Sequence, residues 1–404
     1  MKNPSKYLNN EIKYLTKVLN SEKWSSTSGT WCQQLEYKFA ECFESKYAVA
    51  MNSGTATLHA ALEAVGVKAG DEVISPALTV IMDTTATLHA NAVPVYADID
   101  PETFNIDPKD VENKITDKTK AIIVVSLYGL PCEMDDLIAI SKKYKIPIIE
   151  DNAQCFLSKY KGKLAGTFGD VSSWSFENSK HMSCGEGGII TSNNEKYAMM
   201  ARKISGHGYK NLRAKDGQIK LNQSIYQDPN YKRHDEVGWN YRLSEISAAI
   251  ALAQLEDLEQ KVILRKNVAQ LFIEEMSASD YLIPQKVPEH CEHSYFTLAV
   301  RYEGLEKIGV TWQEFREKYI SLGGDGFYGA WSVPYMEPVM SERKFVKRCP
   351  DIYGDITYSP GLCPIAEKVQ PKIMQFKTNY RDIDIAKRKA LALKDTIEYF
   401  KEMK

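Results

Sequence analysis

Between residues 45 and 190 the sequence alternates short apolar runs with longer stretches of helical periodicity, and this restricts the fold more than any other feature. Runs at Tyr47–Met51, Glu72–Ser75, Val93–Asp98, Ala121–Ser126, Ile146–Glu150, Ser172–Phe176 and Gly188–Ser192 read as strands. Helical stretches such as Thr55–Val65 and Met134–Tyr144 lie between them. Parallel neighbours need long crossovers, usually helices, so the pattern predicts an α/β architecture: a mostly parallel seven-stranded sheet flanked by helices. Ligands of such sheets sit beyond the carboxyl ends of the strands. Asp151, Ser53-Gly54-Thr55 and Ser175 all fall at strand ends, so three polar groups converge on one edge.

The chain's 404 residues suit a large domain and a smaller one. Residues 1–20 read as an amphipathic helix with Leu8, Ile12, Leu15, Val18 and Leu19 on its apolar stripe. Residues 21–260 read as the large domain, closing with a long helix over Leu243–Gln260. Residues 261–404 read as a smaller α+β domain, with a strand at Ser294–Val300 and helices at Trp312–Ser321 and Asp382–Glu402. Residues 206–236 break the pattern: they carry Pro229 and several basic residues with little apolar content, and a loop this long in a compact protein is usually functional or disordered.

Lys+Arg 51 against Asp+Glu 53 give a formal net charge of −2, which supplies no global electrostatic reason to bind nucleic acid or an anionic membrane. The eight cysteines are scattered without CxxC or zinc-site spacing, so no metal site is expected and reduced thiols in a cytoplasmic protein are. The segment Met1-Lys-Asn-Pro-Ser-Lys-Tyr7 lacks the apolar core of a signal peptide, and no apolar run approaches a membrane span.

The chemistry gathers around Lys180, in Ser175-Phe-Glu-Asn-Ser-Lys180-His-Met-Ser-Cys-Gly185-Glu-Gly-Gly188. Upstream, the apolar run Ile146-Pro-Ile-Ile ends in Glu150-Asp151-Asn-Ala-Gln154. Most lysines lie on the surface, but a strand on each side and a glycine-rich turn give this one a buried setting, and burial makes the neutral amine nucleophilic. Asp151 suits a turn cap and equally a carboxylate that keeps a ring nitrogen protonated. Ser53-Gly54-Thr55 suits an N-cap and, with Ser175, a phosphate cradle at a helix N-terminus. Lysine, carboxylate and phosphate donors together point to pyridoxal 5′-phosphate (PLP).

The motif set resembles the DegT/DnrJ/EryC1/StrS family, PLP-dependent sugar aminotransferases of the aspartate-aminotransferase fold. The resemblance rests on Asp151…Gln154, Ser175…Lys180…Gly188, Ser53-Gly54-Thr55 and Gly238-Trp-Asn240-Tyr-Arg242-Leu-Ser-Glu245. It is close over residues 22–260 and weaker through Cys363-Pro-Ile-Ala-Glu367. It implies a homodimer with active sites at the interface. Lys180 would be the Schiff-base lysine, Asp151 would face the ring nitrogen and Gln154 the phenolic oxygen. Gly54, Thr55 and Ser175 would hold the phosphate, and Asn240 would reach the phosphate of the neighbouring subunit's cofactor.

Two departures stand out. Where most members carry a stacking aromatic, this chain has Thr79-Val80; Val80 packs on a ring with dispersion alone. The segment Gly324-Asp325-Gly-Phe-Tyr328-Gly-Ala-Trp331-Ser-Val-Pro-Tyr335 also differs, and reads either as substrate recognition by Tyr328, Trp331 and Tyr335 or as an aromatic core turn. In the long loop, Lys210, Arg213, Lys215, Lys220, Lys232 and Arg233 offer charge to a diphosphate. The expected reaction moves an amino group from glutamate or glutamine to a keto sugar, a nucleotide-linked 3- or 4-keto sugar above all. A related sugar dehydratase, which carries histidine at the lysine position, and a cyclitol (inosose) aminotransferase are the alternatives.

Overall fold

The structure is a computed structural model that describes residues 9–218 and 221–402. Leu8 and Lys220 lie outside the described residues. All seven expected strands form: β1 (Tyr47–Met51), β2 (Glu72–Pro76), β3 (Val93–Ala97), β4 (Thr119–Val125), β5 (Ile148–Asp151), β6 (Val171–Ser175) and β7 (Gly188–Ser192). They make one sheet in the order β1-β7-β6-β5-β4-β2-β3. Every pairing from β3 to β6 is parallel, and β7 runs antiparallel to both neighbours. Alternate side chains of β4 feed two separate cores: Ala121, Ile123 and Val125 enter one, Ile122 and Val124 the other. Burial on both faces explains why this strand reads as an unbroken apolar run.

Because β7 is reversed, its first residue lies at the carboxyl edge of the parallel strands. Gly188 pairs with Met51 on one side and Ser175 on the other. The Lys180 segment, which joins β6 to β7, therefore stays at that edge. The helix Gly54–Ala64 starts from the same edge and is buried almost throughout.

A second, antiparallel sheet joins Leu282–Pro284, Leu298–Tyr302, Ile373–Phe376 and Tyr328–Gly329, in that order. Helices Leu258–Met276 and Ile383–Glu402 pack on it through Phe272, Met276, Leu393 and Ile397. Val333, Tyr335, Cys363 and Ala366 return to the core of the first sheet.

Three expectations change. The single helix over Leu243–Gln260 is two, Glu245–Glu256 and Leu258–Met276, broken at Asp257 (φ −103°, ψ 7°). The break turns Leu258 and Val262 into the core around Phe39 and Trp174. The strand expected from Ser294 starts at Leu298, because Tyr295 has φ +49° and cannot continue a strand. The N-terminal helix Asn9–Ser21 forms, but Ile12 and Leu19 are exposed and Val18 alone of its described stripe is buried. It also docks through polar contacts: Tyr14, whose ring packs on Trp31, donates to Glu256 at 2.6 Å, and Gln254 donates to the buried Glu11 at 2.5 Å.

Candidate active site

The end of β5 shows how the backbone sorts two adjacent acids. Successive strand side chains point to opposite faces. Glu150 points away from the site and accepts the N–H groups of Gly166, Phe168 and Gly169 at 2.8, 2.9 and 2.6 Å. Asp151 points the other way, into a cavity of about 1220 Å³ at the carboxyl edge of the sheet. One Asp151 oxygen accepts the Ala153 N–H at 2.9 Å. Burial pushes the Asp151 pKa up, while that N–H and the charge of Lys180 oppose the rise.

Lys180 faces the same cavity, its Nζ 4.8 Å from the centre of the Phe296 ring. Burial lowers its pKa; the charges of Asp151 and Glu177 oppose this and Arg265 adds to it. The amine is thus biased toward the neutral, nucleophilic form. His181 turns away: it is buried between the rings of Phe156 and Phe296, its Nε2 3.1 Å from the Ser294 carbonyl, and it does not line the cavity.

Gly54 and Thr55 open the helix Gly54–Ala64, capped by Ser53, whose hydroxyl accepts the Ala56 N–H at 3.1 Å. A Cβ on Gly54 would lie 2.9 Å from Ser175 Cβ and 3.1 Å from its Oγ, so only glycine lets the helix start come this close to Ser175. The result is a small cradle of N–H and hydroxyl groups at the positive end of a helix dipole, suited to a phosphate. Gln154 and Val80 complete this wall, and Tyr328 and Trp331, both largely exposed, form its outer lip.

Several of the residues singled out from sequence lie elsewhere. Tyr335 is buried in the core, donating to Glu367 at 2.5 Å and accepting from the Cys363 N–H at 3.1 Å. Its substrate-contact reading gives way to the aromatic core turn, because its hydroxyl and ring are both already engaged. Asn240 is exposed outside the cavity, its carbonyl accepting from the Asn52 amide at 3.3 Å. Arg213 is exposed on the 206–236 loop, and Arg233 ties that loop together through the Tyr231 and Tyr226 carbonyls at 3.1 and 2.5 Å. Neither arginine lines the cavity, nor do Lys210, Lys215 or Lys232.

The cavity also contains residues that the sequence reading passed over: Arg265, Phe296, Arg316, Lys377 and Thr378, all from the C-terminal part of the chain. Arg265 donates to the Phe296 carbonyl at 2.6 Å and to the Ser179 and Lys180 carbonyls at 3.3 and 3.5 Å, so it buttresses the lysine segment. A signal existed: Arg265 stands on the buried stripe Val262, Val268, Ala269, Phe272 of its helix, where a charged residue needs a reason. Among the described residues, no helix is long and apolar enough to cross a membrane.

The profile of the DegT/DnrJ/EryC1/StrS aminotransferase family matches residues 6–350. GDP-perosamine synthase of Escherichia coli O157:H7 is 36% identical over 290 residues, 72% of this chain and 74% of that protein. The aminotransferase of Psychrobacter cryohalolentis superposes with a TM-score of 0.85 at 27% identity, covering 99% of both chains. A GDP-4-keto-6-deoxymannose-3-dehydratase with bound GDP-perosamine superposes at 0.82 and 26% identity, covering 97% of this chain and 99% of its own.

Proposed function

The chain belongs to the DegT/DnrJ/EryC1/StrS aminotransferase family and is an aminotransferase, and we propose that it carries an amino group from glutamate or glutamine to a nucleotide-linked keto sugar, with PLP as cofactor. The observation that carries the reading is the convergence of Lys180, Asp151, Gln154, Ser175 and the helix start Gly54–Thr55 on one cavity. The donor set fits PLP: a desolvated amine, a carboxylate, an amide N–H and a phosphate cradle that a Cβ would fill. When bound, PLP supplies the electron sink for amino-group transfer.

The chain's own residues then have separate tasks. Lys180 would hold the cofactor through its amine and would move the proton at the amino donor's α-carbon. Asp151 would hold a proton on the ring nitrogen. Gln154 would donate to the phenolic oxygen, Gly54, Thr55 and Ser175 would bind the phosphate, and Val80 would pack against the ring. Tyr328 and Trp331 orient the sugar substrate at the cavity mouth. Asn240, exposed on one chain, would reach the cofactor site of a second copy in a homodimer, and Arg213 and Arg233 act on the nucleotide from the 206–236 loop.

Two other acceptors or outcomes compete: amination of an inosose-type cyclitol, and dehydration of a keto sugar. The lysine at position 180 favours amino transfer over dehydration. An absorbance spectrum of purified protein, with and without glutamate, beside Lys180→Ala, tests the reading. The expected result is a visible band that moves toward the near-ultraviolet with glutamate or glutamine and is lost in the variant. Nucleotide-linked keto sugars are then screened for return of the band. A bound cofactor indifferent to both amino acids would overturn the assignment.

A further inference from the structure

We propose that Arg316 and Lys377 form an anion subsite in the cavity and hold the diphosphate of the nucleotide-linked acceptor. The inference rests on the reading above, in which the acceptor is a nucleotide-linked keto sugar.

Both cations line the cavity, which Arg213 and Arg233 of the same chain do not. They come from different elements: Arg316 from the helix Trp312–Ser321, Lys377 from just beyond the strand Ile373–Phe376. The edge strand Tyr328–Gly329 brings them together. Tyr328 pairs with Gln375 and Gly329 with Met374, and continuing that register sets Gly326 opposite Lys377. The Phe327 and Phe376 rings, which belong to the intervening pair, lie 5.0 Å apart. Arg316 reaches the same turn from its helix, its Nε donating to the Phe327 carbonyl at 3.0 Å. A Cβ on Gly326 would lie 2.5 Å from one terminal guanidinium nitrogen and 3.2 Å from Cζ, so glycine leaves the space that the guanidinium occupies.

The charge of this pair is not spent inside the protein. Asp325, the acid of the turn, already accepts from Lys389 and from Tyr380, both at 2.7 Å, and Lys377 stands off at 4.0 Å as a second cation. The terminal nitrogens of Arg316 meet no acceptor among the described residues. With Nε tied down, the guanidinium still offers its outer N–H groups as a planar fork, a shape that matches phosphate oxygens. Lys377 adds a compact charge beside it. Two neighbouring cations suit a ligand with two neighbouring negative groups.

Position decides which anion comes here. The donor's carboxylate has similar chemistry, but it is bonded to the carbon whose proton Lys180 would move. Arg316 is fixed instead to Phe327, next to Tyr328 at the exposed lip. Lys377 connects inward through Thr378, whose hydroxyl donates to the carbonyl of Phe296, the ring beside Lys180, at 3.0 Å. The pair thus stands between the lysine and the mouth. A sugar carbon at Lys180 leaves its diphosphate at this level and its nucleoside toward Tyr328 and Trp331.

The test is binding of inorganic pyrophosphate and of GDP, UDP, CDP and dTDP to the PLP-loaded protein. Wild type should bind pyrophosphate, and at least one nucleoside diphosphate should displace it while 2-oxoglutarate does not. Arg316→Ala should weaken both ligands about tenfold or more, the scale of hydrogen bonds between charged groups. Arg316→Lys should recover part of the loss, since it restores the charge without the fork. Lys377→Ala should cost less, by an amount that shrinks as salt rises. Nucleotide affinity unchanged in both Arg316 variants would overturn the proposal. So would displacement of pyrophosphate by 2-oxoglutarate, which would hand the subsite to the donor's carboxylate. If Arg316→Ala fails to fold, Arg316→Lys and Lys377→Ala decide. Pyrophosphate binding that depends on Arg316 but yields to none of the four nucleotides would sink the nucleotide-linked reading and the diphosphate assignment with it, while the anion subsite itself would stand.

Discussion

The backbone N–H of Tyr128 donates to Gln154 Oε1 at 2.8 Å, and this one contact decides how the Gln154 amide faces. With the carbonyl oxygen engaged at the wall, the NH₂ group is the end turned to the cavity. The site therefore presents a donor at this point, as a phenolic oxygen requires.

Gln154→Glu keeps the acceptor for Tyr128 but replaces the donor with a second acceptor. PLP affinity should fall about tenfold, the scale of a charge-assisted hydrogen bond, with the unfolding midpoint little changed. A cofactor titration followed by absorbance checks the first claim, and thermal denaturation the second.

Glu150 and Asp151 should separate stability from cofactor binding. Glu150→Ala strands three N–H donors, one buried and two half-buried, and should lose about 3–5 kcal/mol in urea unfolding, the scale of breaking a buried charged network. The folded fraction should still bind PLP. Asp151→Asn should do the opposite, leaving the urea midpoint nearly unchanged and shifting or weakening the cofactor's absorbance.

Gly54→Ala places a methyl 2.9 Å from Ser175 Cβ. Relief of that contact must open the phosphate cradle, so PLP affinity should drop about tenfold while global stability changes by no more than about 1 kcal/mol, since alanine suits a helix start. Fluorescence titration with PLP measures the loss. Free phosphate should compete less well in the variant.

His293 predicts acid lability. Its Nδ1 accepts the Tyr295 N–H at 2.8 Å and its Nε2 donates to Gln285 at 3.0 Å, which fixes a neutral ring. Burial, with Lys266 adding, lowers its pKa from 6.5 to about 3. Between those values the unfolded chain binds a proton that the folded chain refuses. Stability therefore falls as the pH drops below 6.5, by about 1.4 kcal/mol per pH unit for one such group. His293→Gln can keep both hydrogen bonds without titrating, so its urea midpoint should shift less between pH 7 and pH 5. Some slope should remain, because buried His181 acts in the same direction.

Much of this could be read along the chain. The strands showed as short apolar runs, and Asp151, Ser175 and Gly54 sat where strands end, because side-chain alternation and capping chemistry act over a few residues. The readings that failed depended on distant partners. Tyr335 looked like a recognition residue until its hydroxyl met Glu367 and Cys363 in the core. The helix expected over Leu243–Gln260 was broken by what its second half packs against.

The sequence by itself determined the strand–helix alternation, the sheet edge to which the polar turns lead, and the lysine and aspartate placed there. Only the tertiary structure decided that Glu150 is structural while Asp151 faces the cavity. It also decided that Arg265 and Phe296 arrive from the C-terminal half to enclose Lys180. Local periodicity encodes which way a side chain points from its own element; what it meets there depends on packing elements far apart in sequence, and no local signal carries that.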